Sequence, residues 1–189
     1  FAVQRGKPAD VLPFWVADMD FEIPSELKQV LLDRVNHGIF GYTESDDAYF
    51  NVLKEWFASR FNWNIDKKWL VKTPGVVFAL AMAVRAFTKE GEGVLINQPV
   101  YYPFSMVIDD NDRNLINVPL IQGADTYTID FEGVERAIVE HNVTLFLLCN
   151  PHNPVGRVWT EDELKRLGDI CIKHNVIIIS DEIHADFVW

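Results

Sequence analysis

Val143-Thr144-Leu145-Phe146-Leu147-Leu148, followed by Cys149-Asn150-Pro151-His152-Asn153-Pro154-Val155-Gly156, is the stretch whose reading decides the architecture. A short apolar run with no polar alternation reads as a strand covered on both faces, and the two prolines stiffen the turn that closes it. Downstream, Thr160 with Glu163 three residues on is a capping-box pattern that opens a helix over Thr160 to His174. A second apolar run, Val176 to Ile179, follows at once. Strand, helix and strand in that order predict parallel pairing.

Outward from this unit the same texture recurs. Val94 to Ile96 and Leu115 to Leu120 read as strands, and Val76 to Lys89 and Phe131 to His141 as helices. The alternation predicts a mainly parallel, doubly wound α/β sheet in three layers, helices on both faces. Nearer the start, Leu27, Val30, Leu31 and Val35 recur at helical spacing from Ser25 to His37, with Gly38 as a stop. A second amphipathic helix is expected over Asp46 to Arg60, with Tyr49, Phe50, Leu53, Trp56 and Phe57 on its apolar side. Residues 1 to 23, where Pro8 and Pro13 discourage helix, read as an extended arm. The expected division is 1–45, arm and first helix, and 46–189, the α/β domain.

The chain has 189 residues, 49% of them hydrophobic and 13% aromatic, enough for one globular domain with a sizeable core. Twenty-eight acidic residues against seventeen basic give a net charge of −11, which argues against a nucleic-acid partner. Cys149 and Cys171 have no CxxC or metal-ligand spacing and read as buried small hydrophobes of a reducing compartment, hence a cytoplasmic address. No apolar run approaches the roughly 20 residues of a membrane span, and no basic segment leads into an apolar one at the start. The sequence begins without Met and stops at Trp189 just after a strand-like run, so both ends are expected to be truncated.

In open α/β sheets ligands collect beyond the carboxyl ends of the strands, and four such places carry chemistry. Lys72-Thr73-Pro74-Gly75-Val76-Val77 feeds a helix whose first amides lack intrahelical acceptors, a seat for phosphate or simply a turn. Asn97-Gln98-Pro99-Val100-Tyr101-Tyr102-Pro103-Phe104 offers an aromatic ring for stacking on a planar ligand, or ordinary core aromatics. Asn150 to Gly156 presents amides to a ligand oxygen. Ser180-Asp181-Glu182-Ile183-His184 puts a carboxylate at a buried strand end, where it needs a cationic partner such as a protonated ring nitrogen, unless it is a cap or a surface group.

Together with the arm string WVADMDF (residues 15–21) and Gly41-Tyr42-Thr43, these motifs resemble the class I and II aminotransferase superfamily of fold-type I enzymes dependent on pyridoxal 5′-phosphate (PLP). Within it they resemble most closely the PatB/MalY branch of cystathionine β-lyase-like C–S lyases. The resemblance spans essentially the whole chain. It implies an incomplete PLP-binding large domain with an N-terminal arm. Gly75 with the Val76 and Val77 amides would bind the cofactor phosphate, and Tyr101 would stack on the pyridine ring. Asn153 would bond the phenolic oxygen and Asp181 would pair with the pyridinium nitrogen. His184 stands where relatives often have a tyrosine near that same oxygen. Tyr42 resembles a residue that reaches the phosphate of the partner subunit, implying a homodimer. Ala17 and Asp18 look like contributors to the edge of the substrate pocket. The lysine that anchors the cofactor and moves the α-proton is expected beyond Trp189, so no catalytic residue is assigned within the chain.

The implied reaction is β-elimination from an S-substituted cysteine such as cystathionine, giving thiol, pyruvate and ammonia. Transamination is the nearest rival, and a non-catalytic PLP-binding or regulatory role is a third reading. A nicotinamide dehydrogenase is disfavoured because no GxGxxG follows a first strand.

Overall fold

The computed structural model describes residues 2–12 and 19–188, and by its own contacts the chain forms two compact units, residues 1–69 and 70–189. That boundary lies C-terminal to the expected 45/46 division. In the first unit α1 spans Ser25–His37 and ends on Gly38 at φ 72°, the left-handed geometry that makes glycine an efficient helix stop. Helix α2, Asp47–Phe61, is capped by the Asp46 side chain, which accepts from the Tyr49 amide at 3.2 Å. The apolar stripe of α1, including Val30 and Val35, is exposed.

The second unit contains α3 (Val76–Phe87), β1 (Gly93–Ile96), α4 (Pro103–Asp109), β2 (Asn114–Asn117), β3 (Ile121–Gln122), β4 (Tyr127–Thr128), α5 (Phe131–Glu140), β5 (Val143–Cys149), α6 (Glu161–Lys173) and β6 (Ile177–Asp181). Strands β2, β1, β5 and β6 lie in that order, every pairing parallel, while β3 and β4 make a separate antiparallel ribbon. Side chains alternate across the sheet. Val94, Ile96, Leu145, Leu147 and Cys149 pack with Leu80 and Val84 of α3 and with Phe104 and Ile108 of α4. On the other face, Leu95, Phe146 and Leu148 meet Val134 and Ile138 of α5 and Leu167 and Cys171 of α6. Each fully buried Leu, Ile or Phe there contributes about 1.5–3 kcal/mol, so both faces of the central strands stabilise the layer. The expected doubly wound, three-layer arrangement is the one observed.

The chain moves from β1 to its neighbour β2, then crosses back over β1 to β5 and on to β6. Its direction therefore reverses between β1 and β5, the switch point where a crevice opens beyond the strand ends. Strand β6 pairs on one side only among the described residues, so its outer edge is open there.

Three local expectations need correction. The strand expected over Leu115 to Leu120 stops at Asn117, although the Val118 and Leu120 amides still donate to the Ile96 and Gln98 carbonyls at 3.1 and 2.8 Å. The helix expected to run to Lys89 ends at Phe87, where the extended Thr88 turns its hydroxyl back onto the Val84 carbonyl at 2.5 Å. Helix α4 is missing from the expectation: its seven residues are too few for a helical period, and Pro103 at its first position opens it instead of breaking it. Among the described residues no helix is long and apolar enough to cross a membrane.

Candidate functional site

Helix α3 runs antiparallel to the strands, and this brings its N-terminus to their carboxyl ends. Thr88, just past its C-terminus, receives the Arg113 guanidinium at 2.9 and 2.7 Å, and Arg113 immediately precedes β2. The helix is about 18 Å long at 1.5 Å per residue, so its first turn reaches the opposite rim, where Val76 packs against the cluster that includes Cys149. Gly75 caps it with φ 139° and ψ 162°, a conformation confined almost entirely to glycine. No side chain caps this end, and a Cβ added at Gly75 would have nothing within 4 Å. The Thr73 hydroxyl donates to the Gly75 carbonyl at 3.2 Å, ordering the turn. Val76 is half-buried and Val77 exposed.

At the same rim, Asp181 ends β6 beside Cys149, its register partner on β5, and the Asn150 amide donates to the Asp181 carbonyl at 3.0 Å. Asp181 is 7% exposed. Burial raises the pKa of its carboxyl above the ordinary value, opposed by the Ile183 amide, which donates to Oδ1 at 3.1 Å, and by the charge of His184. Half-buried His184 opens a short 3-10 turn over Ala185–Phe187. The carboxylate thus sits in a dry place with little positive charge around it, the setting in which an anion gains most from a cation.

The Asn150 to Gly156 loop leaves β5 next to Asp181. The Asn153 amide reaches the Cys149 sulfur at 3.4 Å, and the Cys149 thiol donates to the Pro151 carbonyl at the same distance. The Asn150 carboxamide accepts from the Trp159 amide at 3.1 Å, and the Trp159 indole donates to the Cys149 carbonyl at 3.0 Å. Arg157 clasps Glu163 with two bonds of 3.0 and 2.8 Å and gives a third to the Tyr127 carbonyl at 2.6 Å. Glu163 is also the far half of the expected capping box, whose two bonds are both present.

Across the switch point, buried Asn97 at the end of β1 donates to the Val118 carbonyl at 2.7 Å. Tyr101 follows immediately before α4, 38% exposed and tilted against Tyr102 at 5.3 Å between ring centres. The rim of the second unit therefore gathers Gly75, Val76, Val77, Tyr101, Asn153, Asp181 and His184. Tyr42 is fully exposed in the first unit, and Ala17 and Asp18 lie outside the described residues. In the sequence Thr73, Asn97 and His152 stand within the marked loops without a role of their own, and Glu163 is marked only as a cap, so the Arg157–Glu163 clasp emerges from the structure. Both cysteines are buried and free, and burial pushes the Cys171 thiol up to about 11. An open cleft of about 540 Å³ lined by Glu135, Lys173 and His174 lies on the helical layer and holds none of the strand-end groups.

Comparison with known proteins gives this rim its context. Cystathionine β-lyase PatB of Bacillus subtilis is 44% identical over 95% of this chain and 46% of its own length. Protein MalY of Escherichia coli is 36% identical over 100% of the chain and 49% of its own length. The chain thus spans about half the length of the curated relatives it matches. Among solved structures, cystalysin from Treponema denticola, which contains a pyridoxal 5′-phosphate cofactor, superposes with a TM-score of 0.89 at 43% identity, covering 95% of this chain and 45% of that one. A PLP-bound putative aminotransferase from Clostridium difficile gives 0.88 at 48% identity, covering 94% and 46%. Residues 9–189 match the aminotransferase class I and II family, and the chain belongs to that family.

Proposed function

We propose that the protein is a pyridoxal 5′-phosphate-dependent carbon–sulfur β-lyase that cleaves S-substituted cysteines such as cystathionine, with residues 1–45 as an arm and first helix and most of the cofactor-binding domain within residues 46–189, whose compact part begins at residue 70. The observation that carries the reading is Asp181: a 93%-buried carboxylate at a strand end, its pKa raised by burial, fits a ligand that brings its own positive nitrogen.

Two further observations support the fit. The first turn of α3 offers amides with no side-chain cap over an open Gly75, a seat for a phosphate dianion. Tyr101 and Asn153 leave the two strands that flank the switch point, one offering a ring face and the other a carboxamide. When bound, pyridoxal phosphate supplies a conjugated, electron-withdrawing ring that stabilises negative charge on the substrate Cα.

The chain's own residues then divide the work. The Val76 and Val77 amides would hold the phosphate. Tyr101 would stack on the ring, and Asn153 would donate to its phenolic oxygen, with His184 also serving that oxygen. Asp181 would hold the proton on the pyridine nitrogen, an attraction that burial of the carboxylate strengthens. Tyr42 is proposed to serve the phosphate site of a partner subunit in a cytoplasmic homodimer, and Ala17 and Asp18 to edge the substrate pocket. No residue of this chain is assigned the Cα proton transfer.

Full-length protein supplied with pyridoxal phosphate and L-cystathionine is expected to release pyruvate and free thiol together. Keto-acid-dependent amino transfer without thiol would replace this reading by an aminotransferase, the alternative favoured by the 48% identical putative aminotransferase from Clostridium difficile. Absence of both products would favour a binding or regulatory role.

A further inference from the structure

His152, in the Asn150 to Gly156 loop, reaches across the switch point. Its Nε2 lies 2.9 Å from the carbonyl of Pro99, fifty-three residues earlier, in the loop that carries Tyr101. A carbonyl only accepts, so Nε2 carries the proton. Burial lowers the pKa of the imidazole, against the pull of neighbouring carbonyls, so at neutral pH it is uncharged and its single N–H is committed to Pro99. The other ring nitrogen, Nδ1, is buried without a hydrogen bond of good geometry, though the Cys149 carbonyl also acts on the ring. At 3% exposure the ring makes its bond to Pro99 away from water.

The loop on which His152 stands is itself fixed. Its amide donates to the Arg157 carbonyl at 2.7 Å, and its own carbonyl receives the Gly156 amide at 2.8 Å. Its ring lies nearly perpendicular to Trp159, with ring centres 5.3 Å apart at 83°, and the Arg157 guanidinium lies 4.6 Å over the indole. Arg157 in turn is clasped to Glu163 at the start of α6. The β1 loop is also tied toward β2 and α4: Asn97 donates to the Val118 carbonyl at 2.7 Å, the Gln98 carbonyl receives the Leu120 amide at 2.8 Å, and Gln98 donates to the Asn117 carboxamide at 3.0 Å and to the Ser105 hydroxyl at 3.3 Å.

We propose that His152 is a positioning residue: through its Nε2–H bond to the Pro99 carbonyl it locks the Tyr101 loop to the Asn153 loop, so that a ligand held between them meets both as one rigid unit. The inference rests on the proposed cofactor site for its consequence but not for its geometry. It adds a residue that touches no ligand yet sets the spacing of two that do.

The test compares full-length wild-type protein with H152F, which keeps an aromatic ring against Trp159 without a donor, and H152Q, whose Nε2 can replace the imidazole N–H. Hydrogen–deuterium exchange without cofactor is expected to rise about tenfold in H152F at both residues 97–102 and residues 150–157, the size expected for one lost buried hydrogen bond. Exchange in H152Q is expected to return to within about threefold of wild type. Pyridoxal phosphate titration, followed by its visible absorbance, is expected to show about tenfold weaker binding for H152F and rescue by H152Q. Unchanged exchange at 97–102 in H152F, or no rescue by H152Q, would overturn the proposal. Should H152F fail to fold, H152Q decides alone: near-wild-type exchange in both loops supports the lock, and fast exchange at 97–102 overturns it. If the wild type itself binds no pyridoxal phosphate, the proposed function fails while the exchange data still decide on His152.

Discussion

Cys149 and Asp181 are register partners at the carboxyl ends of β5 and β6, so a buried thiol and a buried carboxylate lie side by side at the rim. Burial raises the pKa of both, and the negative charge of Asp181 further raises that of Cys149. The thiol is protonated at neutral pH and cannot balance the carboxylate. The pair waits for a cation, and Asp181 is where that shows in measurable form.

Replacing Asp181 by Asn should move stability and ligand binding in opposite directions. Because the folded pKa lies above the ordinary 3.8, the stability linked to this group is fully present below that value and is lost as pH rises through the folded pKa. Asn keeps an acceptor for the Ile183 amide without the charge. Cofactor-free D181N is therefore expected to melt above wild type at pH 7, the difference closing toward pH 4. Its affinity for pyridoxal phosphate should fall at least about tenfold, equivalent to 1.4 kcal/mol. Melting curves across that pH range and a titration at pH 7 check both halves.

Gly75→Ala tests the turn into α3. The backbone at φ 139° and ψ 162° excludes a side chain on conformational grounds, while the space around it is open. The cost is backbone strain of about 1–3 kcal/mol, not a clash. Denaturant unfolding should show it, with weaker binding of inorganic phosphate or pyridoxal phosphate alongside.

Glu163→Gln addresses the clasp that steadies the Asn153 loop. Burial pushes the Glu163 carboxyl up, but its bonds to Arg157 and Thr160 outweigh this and leave the pKa below 4.5. Its stabilisation is therefore present above 4.5 and lost as pH falls through the lower folded value. At pH 7 the substitution should cost about 2 kcal/mol, given the 19% exposure of the Glu163 side chain and its paired bonds. At pH 3 the gap between variant and wild type should narrow; equal gaps at both pH values would show that the charge is not what matters.

Tyr101 should behave differently. At 38% exposed without ligand, it contributes little to folding, so Tyr101→Ala is expected to leave the melting temperature within a few degrees. Pyridoxal phosphate binding should weaken by about 2- to 10-fold, the worth of one stacked ring, and Tyr101→Phe should restore it.

What the sequence determined by itself is local. The run from Val143 to Cys149, the capping box at Thr160 and Glu163, and the helix ending at Gly38 depend on residues close together in the chain, whose periodicity and capping chemistry act at short range. Alternating strands and helices then leave few ways to stack, which made the three-layer sheet legible. The four strand-end loops could be marked as chemically loaded for the same reason. Tertiary structure alone decided the rest. Only the strand order β2, β1, β5, β6 puts the reversal between β1 and β5, and only packing of the sheet with its neighbours takes Asp181 out of water. The bond from His152 to Pro99 joins residues fifty-three apart, a separation at which no spacing rule operates. Burial and long-range hydrogen bonding belong to the packed sheet as a whole, and no window of sequence contains them.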